Sequence, residues 1–132
     1  MKIFALDIGD QWTGTAISDE LCMVARPYQT VQSFELEAFL SQLLTKERIS
    51  KIIVGYPRTM RGTESEQTKK VKTQKELLEK KFPSVGWLLW DERLSSKQAE
   101  TLKHAKTKEE KIQAHSIAAA FILSSYLEYA RL

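Results

Sequence analysis

The apolar residues of this chain come in short runs. Residues 2–8 (KIFALDI), 51–56 (KIIVGY) and 85–90 (VGWLLW) each stop at an acidic or turn-forming residue. Runs of that length, rich in β-branched and aromatic side chains, suit strands buried on both faces better than helices. Two further strands are expected near the first. Residues 14–18 (GTAIS) follow a Gly9–Gly14 turn as the second arm of a hairpin. Residues 23–31 (MVARPYQTV) carry Pro27, which confines that strand to a sheet edge or the side of a bulge.

Elsewhere the period changes to that of a helix. Leu36, Phe39, Leu40, Leu43 and Leu44 make one stripe, so residues 34–47 are read as an amphipathic helix with Ser33 as its N-cap. Residues 64–81 are highly charged with a thin stripe of Val71, Leu77 and Leu78, and Pro83 ends them. Ser95 and Gln98 form a capping-box pattern before a short helix over 96–104. A long apolar helix over about 109–130 closes the chain. The order is β-β-β-α-β-α-β-α-α. Short turns make the three leading strands antiparallel, and helical crossovers make the later ones parallel. The expected fold class is α/β, a mixed five-stranded sheet with helices on both faces.

A length of 132 residues suits one domain, taken as 1–132. The lone Cys22 excludes an internal disulfide and an all-cysteine metal cluster. No apolar run approaches the ~18 residues of a membrane helix. The opening MKIFALDIGD is too short, and too early broken by Asp7, for a signal segment. No membrane partner and a cytoplasmic location are the expectation. The net charge of +3 arises late in the chain, because residues 1–63 hold seven basic and seven acidic side chains. That bias is too mild to imply nucleic acid by itself.

In an open α/β sheet, ligands collect at the carboxyl ends of strands. Asp7 ends the first strand, and Asp91 and Glu92 end the last. With the first, fourth and fifth strands side by side, acidic groups would converge. Such groups are costly to hold together without a cation, and their hard oxygens suit Mg²⁺ or Mn²⁺. Successive strand residues face opposite ways, so only one of Asp91 and Glu92 points at the site of Asp7. Gly9 in the Asp-x-Gly element would let the backbone approach a phosphate closely.

Four ordered motifs resemble the YqgF/RuvX family. Asp7-Ile8-Gly9 with Gly14-Thr15-Ala16-Ile17-Ser18-Asp19 is similar to its opening motif. Gly55-Tyr56-Pro57 with Met60, Gly62, Glu66 and Gln67 resembles its second, and Trp90-Asp91-Glu92-Arg93-Leu94-Ser95-Ser96 its third. Ala118-Ala119, Ile122-Leu123 and Tyr126-Leu127 match its closing helix. The resemblance implies an RNase H-like fold and a metal-dependent nuclease that matures the 5′ end of precursor 16S rRNA. It also implies kinship with Holliday junction resolvases. Carried onto this chain, it makes Asp7 and Glu92 the metal ligands, with Mg²⁺ or Mn²⁺ between them.

The chain departs from the family pattern twice. Where the closing helix usually reads Asp-x-x-Ala-Ala, this one reads His115-Ser116-Ile117-Ala118-Ala119. His115 is read as third ligand or acid/base group, and an imidazole favours Mn²⁺ over Mg²⁺. The competing reading is a core histidine, since Ile112, His115, Ala119, Ile122 and Tyr126 share one stripe. The family's Lys-Arg pair in the first loop is replaced by Gln11-Trp12. Trp12 can stack on an unpaired base or pack on the sheet edge. Arg58 and Arg61 would supply the missing positive charge to nucleic acid. Arg93 joins them, with orientation of the carboxylates as its nearer role.

The catalytic set is thus Asp7, Glu92 and His115, and the partner is nucleic acid: structured RNA, or branched DNA as the alternative. The protein would be a monomer or weak homodimer. A resolvase would need the dimer to cut two strands symmetrically. A non-catalytic RNA-binding ribosome-assembly protein is the reading from a different class.

Overall fold

The computed structural model describes residues 1–56, 66–91 and 96–131. Five strands, β1 (Lys2–Ile8), β2 (Trp12–Ser18), β3 (Ala25–Gln32), β4 (Ile49–Tyr56) and β5 (Gly86–Asp91), form one sheet. Its order is β3-β2-β1-β4-β5. β1 is antiparallel to β2 and parallel to β4, and β5 is parallel to β4. The mixed topology is therefore as the sequence predicts. The central position of β1 explains its unbroken apolar run, because Phe4, Ala5 and Leu6 are buried on alternate faces.

The described residues form four α-helices, α1 (Leu36–Lys46), α2 (Glu66–Lys81), α3 (Ser96–Lys103) and α4 (Lys108–Ala130), of which α1 and α2 cover one face, α4 covers the other and α3 contacts α4. Leu36, Leu40 and Leu43 of α1 and Val71 and Leu78 of α2 pack on Phe4, Leu6, Ile52 and Val54. On the other face, Ala119, Ile122, Leu123 and Tyr126 of α4 pack on Ala5, Ala16 and Ile53. Small side chains on both sides let α4 lie close to the sheet. Its far half is also pinned by polar bonds. Trp90 Nε1 donates to Ser125 Oγ at 3.2 Å, and Lys51 Nζ donates to Tyr126 Oη at 2.8 Å.

Three local expectations need correction. β2 begins at Trp12, not Gly14, so the turn is only Gly9-Asp10-Gln11. Gly14 is a mid-strand residue under α4: a Cβ there would stand 2.6 Å from Ser116 N and closer still to the His115 carbonyl. Ser33 does not cap a helix. It begins a single 3₁₀ turn, Ser33–Glu35, and its hydroxyl donates to Gly9 O at 2.6 Å and meets Thr13 Oγ1 at 2.9 Å. The cap that sequence reading missed is Thr107, whose hydroxyl accepts from Glu110 N at 3.0 Å to start α4. Ser95 lies outside the described residues.

β3 is an edge strand, as Pro27 requires, and it carries a bulge. Gly14 pairs with Thr30 and Ala16 with Pro27, leaving an extra residue opposite Thr15. The Thr15 hydroxyl fills the gap, accepting from Gln29 N at 2.9 Å and donating to Gln29 O at 2.6 Å. Beyond it the β2–β3 hairpin turns through Asp19–Val24, with Cys22 in the left-handed region at φ 56°. Asp19 Oδ1 accepts from Met23 N and Val24 N at 2.8 and 2.9 Å. These backbone bonds, led by that of Val24, hold the Asp19 carboxyl below its ordinary range.

Candidate active site

The carboxyl end of β1 is where the sheet stops pairing symmetrically. Asp7 is the cross-strand partner of Gly14. It shares the face of Ile3 and Ala5, which pack towards α4. Gly14 has no side chain, so the backbone of α4 drops onto β2 at His115 and Ser116. That close approach seats His115 beside Asp7. Burial pushes the Asp7 carboxyl above its ordinary range, and the charge of His115 pulls it part of the way back. Among the described residues no hydrogen bond reaches this carboxylate. His115 is thus both a member of the apolar stripe of α4 and a neighbour of Asp7.

The loop after Asp7 is rigidly tied. Gly9 N donates to Trp12 O at 3.0 Å, and Ser33 N donates to Gln11 O at 2.8 Å. A Cβ on Gly9 would meet Trp12 O at 2.7 Å. The close neighbour that excludes a side chain at Gly9 is therefore a carbonyl of its own turn. From the second motif, Gln67 Nε2 donates to Ile8 O at 3.3 Å and ties the start of α2 to the same strand end.

β5 fixes the face on which Asp91 lies. Trp90 lies against Tyr126 and Tyr129 of α4, with ring centroids 5.4 and 5.0 Å away. Trp87 and Leu89 pack on the opposite face. Asp91 shares the parity of Leu89, so it lies on the α1–α2 side of the sheet, away from Asp7. Glu92, Arg93, Arg58 and Arg61 lie outside the described residues. Among the described residues, no three His, Cys, Asp or Glu side chains gather as a metal-holding group.

Trp12 opens β2 on the same face as Gly14, and its side chain and that of His115 line one groove. The two share a groove of about 450 Å³ with Gln11, Gln32, Lys108 and Lys111. Sequence reading missed the two lysines. Lys108, Lys111, Ile112 and His115 follow helical spacing, which was the available signal. The Lys-rich helix α2 is less free to meet a ligand. Lys70 pairs with Asp10, Lys75 with Glu79 and Lys81 with Glu37.

The RuvX family profile, described as Holliday junction resolvase, matches residues 1–129. A protein of Rubrobacter xylanophilus named "Putative pre-16S rRNA nuclease" is 36% identical over 128 residues, 96% of this chain and 92% of that one. One of the same name from Carboxydothermus hydrogenoformans is 36% identical, covering 98% and 97% of the two chains. Among solved structures, T. thermophilus RuvC in complex with Holliday junction substrate superposes with a TM-score of 0.61 at 16% identity, over 99% and 96% of the two chains. The Fowlpox virus resolvase bound to Holliday junction DNA gives 0.54 at 14%, over 98% and 99%. These two likenesses are of fold. Among the described residues no helix is long and apolar enough to cross a membrane.

Proposed function

The chain belongs to the RuvX family, and from that premise we propose that it is a nuclease whose residues 1–132 act as one domain in the cytoplasm, as a monomer or weak homodimer. Its favoured substrate is the 5′ end of precursor 16S rRNA. The observation that carries the reading is Asp7. A half-buried carboxylate at a strand end, raised by burial and beside an imidazole, suits a cation or a proton.

Asp7 and His115 fit a divalent metal, one hard oxygen donor and one nitrogen donor on a common face. Glu92 completes the set in this reading. Strand alternation favours it, since Asp91 takes the other face. Mg²⁺ or Mn²⁺ held there supplies a water of lowered pKa and positive charge against the scissile phosphate. The chain's own residues do the rest. Asp7, half-buried and with its carboxyl raised by burial, is the group whose charge a bound cation would favour most. His115, fixed by the contact of its backbone with Gly14, accepts or returns a proton or lends its nitrogen. Arg58 and Arg61 neutralise substrate phosphates, and Arg93 orients the carboxylates.

Branched DNA is the second reading, favoured by the resolvase description of the family profile. A cleavage assay separates the two. Wild type and Asp7→Asn are incubated with a structured RNA carrying a 5′ leader and with a four-way DNA junction, with Mg²⁺ and with Mn²⁺. The expected result is cleavage of the RNA by wild type and none by Asp7→Asn. Cleavage by the variant at the wild-type rate overturns the site. Exclusive cleavage of the junction transfers the assignment to the resolvase.

A further inference from the structure

Among the described residues two grooves flank the candidate site, and their charges differ. The larger, about 660 Å³ between the first loop and α2, places Asp10, Glu37 and Glu66 beside Lys69 and Lys70. Carboxylates outnumber ammonium groups there, so a phosphate is repelled. The smaller, about 450 Å³, is lined by Gln11, Trp12, Gln32, Lys108, Lys111 and Ile112, and reaches His115. Among the described residues no carboxylate lines it. Lys108 and Lys111 are exposed and make no ion pair among the described residues. Glu110, their helix neighbour, is turned back to Lys106 N at 3.1 Å.

We propose that this groove binds an unpaired nucleotide of the substrate strand next to the scissile phosphate, its base on Trp12 and Ile112 and its phosphates on Lys108 and Lys111. The proposal rests on the nuclease reading for the strand's direction towards Asp7. It stands on the groove's own chemistry for the nucleotide. An aromatic face stacks on any base, and two unpaired ammonium groups take the backbone. Gln11 and Gln32 offer donors and acceptors to a base edge. The platform is preorganised. The carbonyls of Gln11 and Trp12 accept from Ser33 N and Gly9 N, and Thr30 Oγ1 donates to Ile112 O at 2.8 Å, tying β3 to α4 across the groove. Little has to be ordered when a base arrives. A continuous duplex does not fit, since its bases are already stacked on each other.

The test is binding by fluorescence anisotropy in EDTA, so that affinity is read without turnover. The probes are a hairpin with a single-stranded 5′ tail and the same hairpin blunt-ended, each made as RNA and as DNA. Wild type is expected to prefer the tailed form. Trp12→Ala should weaken tailed binding by roughly 5- to 150-fold, the worth of one stacked base, and leave blunt binding nearly unchanged. Trp12→Phe should retain most of the affinity. Lys108→Glu with Lys111→Glu should weaken tailed binding and lower the salt slope by about 1.4, two phosphates at about 0.7 each. Both lysines are exposed, so this pair decides the matter if Trp12→Ala fails to fold. Tailed binding unchanged in the lysine pair, or in a folded Trp12→Ala, overturns the proposal. Preference for the tail in RNA alone or in DNA alone supports it and names the strand. Cleavage is then assayed separately with Mn²⁺. Loss of tailed binding in the variants, with no cleavage by wild type, keeps the groove and removes the nuclease. Cleavage with unchanged binding does the reverse.

Discussion

Replacing Gly14 by alanine asks whether the contact between α4 and β2 builds the site. The new Cβ would stand 2.6 Å from Ser116 N and nearer to the His115 carbonyl. All of these atoms are backbone, so no rotamer can relieve the overlap. Restoring a contact of about 3.5 Å requires α4 to lift by on the order of 1 Å or more. Overpacking costs about 1–3 kcal/mol, and a backbone-to-backbone clash belongs at the top, about 3 kcal/mol. For a domain of this size that lowers Tm by roughly 10 °C. Two other glycines calibrate the scale. At Gly55 the obstacle is the Ile122 side chain, which can rotate, so Gly55→Ala should cost less. At Gly86 the nearest atom is Ser50 O at 3.6 Å, an ordinary contact, so Gly86→Ala should be near neutral. Melting curves of the three variants give the order. Cleavage gives the second readout, since a displacement of about 1 Å at His115 can cost on the order of 100-fold. A Gly14→Ala protein melting within about 2 °C of wild type, the scale of a surface substitution, refutes the reasoning.

Asp7→Asn should abolish cleavage and melt at or above wild type at pH 7. Burial raises the Asp7 carboxyl, so its charge opposes folding once the pH passes from the ordinary carboxylate range up through the raised value. The stability gain of the variant should therefore vanish in acid, which melting against pH measures. Asp19 has the opposite sign. Its lowered carboxyl stabilises the fold above the ordinary carboxylate range, and that contribution is lost as pH falls through the lowered value. Asp19→Ala should flatten the acid limb of the melting profile and speed hydrogen exchange at Met23 and Val24. His115→Asp should raise Mg²⁺-supported cleavage and erase a preference for Mn²⁺, read from metal titrations. An unchanged metal response with a lowered Tm would make His115 a core residue alone.

The strands most legible in the sequence are β1 and β4, which are buried on both faces, and β5, an edge strand and not a doubly buried one, whose apolar run is nonetheless unbroken. KIFALDI, KIIVGY and VGWLLW announce themselves because nothing polar interrupts them until the site. The errors have one physical source, residues whose partners are distant in sequence. Gly14 reads as turn punctuation, yet it is there to admit the backbone of α4 from a hundred residues on. Ser33 reads as a helix cap, yet its hydroxyl is taken by Gly9 O. Asp7 stands out as a candidate in the sequence because it sits in an Asp-x-Gly element with Asp91-Glu92-Arg93 at the end of a second strand. The two readings of His115, core stripe and site neighbour, are both features of one position. Lys108 and Lys111 carried a visible helical spacing, but only the packing of α4 over β2 brings Trp12 opposite them.

The bulge in β3 also governs how the protein meets its own copies. An open strand edge offers a row of N–H and C=O groups on which another chain can add, the usual beginning of strand exchange and aggregation. Here Pro27 lacks a donor, and Gln29 spends both its backbone groups inward on the Thr15 hydroxyl. An incoming strand therefore meets a row with gaps and a local twist, and cannot zip along it. Thr15→Val would release both groups of Gln29 while keeping the shape of the side chain. Because those groups face inward on a fully buried hydroxyl, they would be left without partners rather than offered to another chain, and the cost, about 1–3 kcal/mol for each group, would surface in the melting temperature while the edge stayed closed.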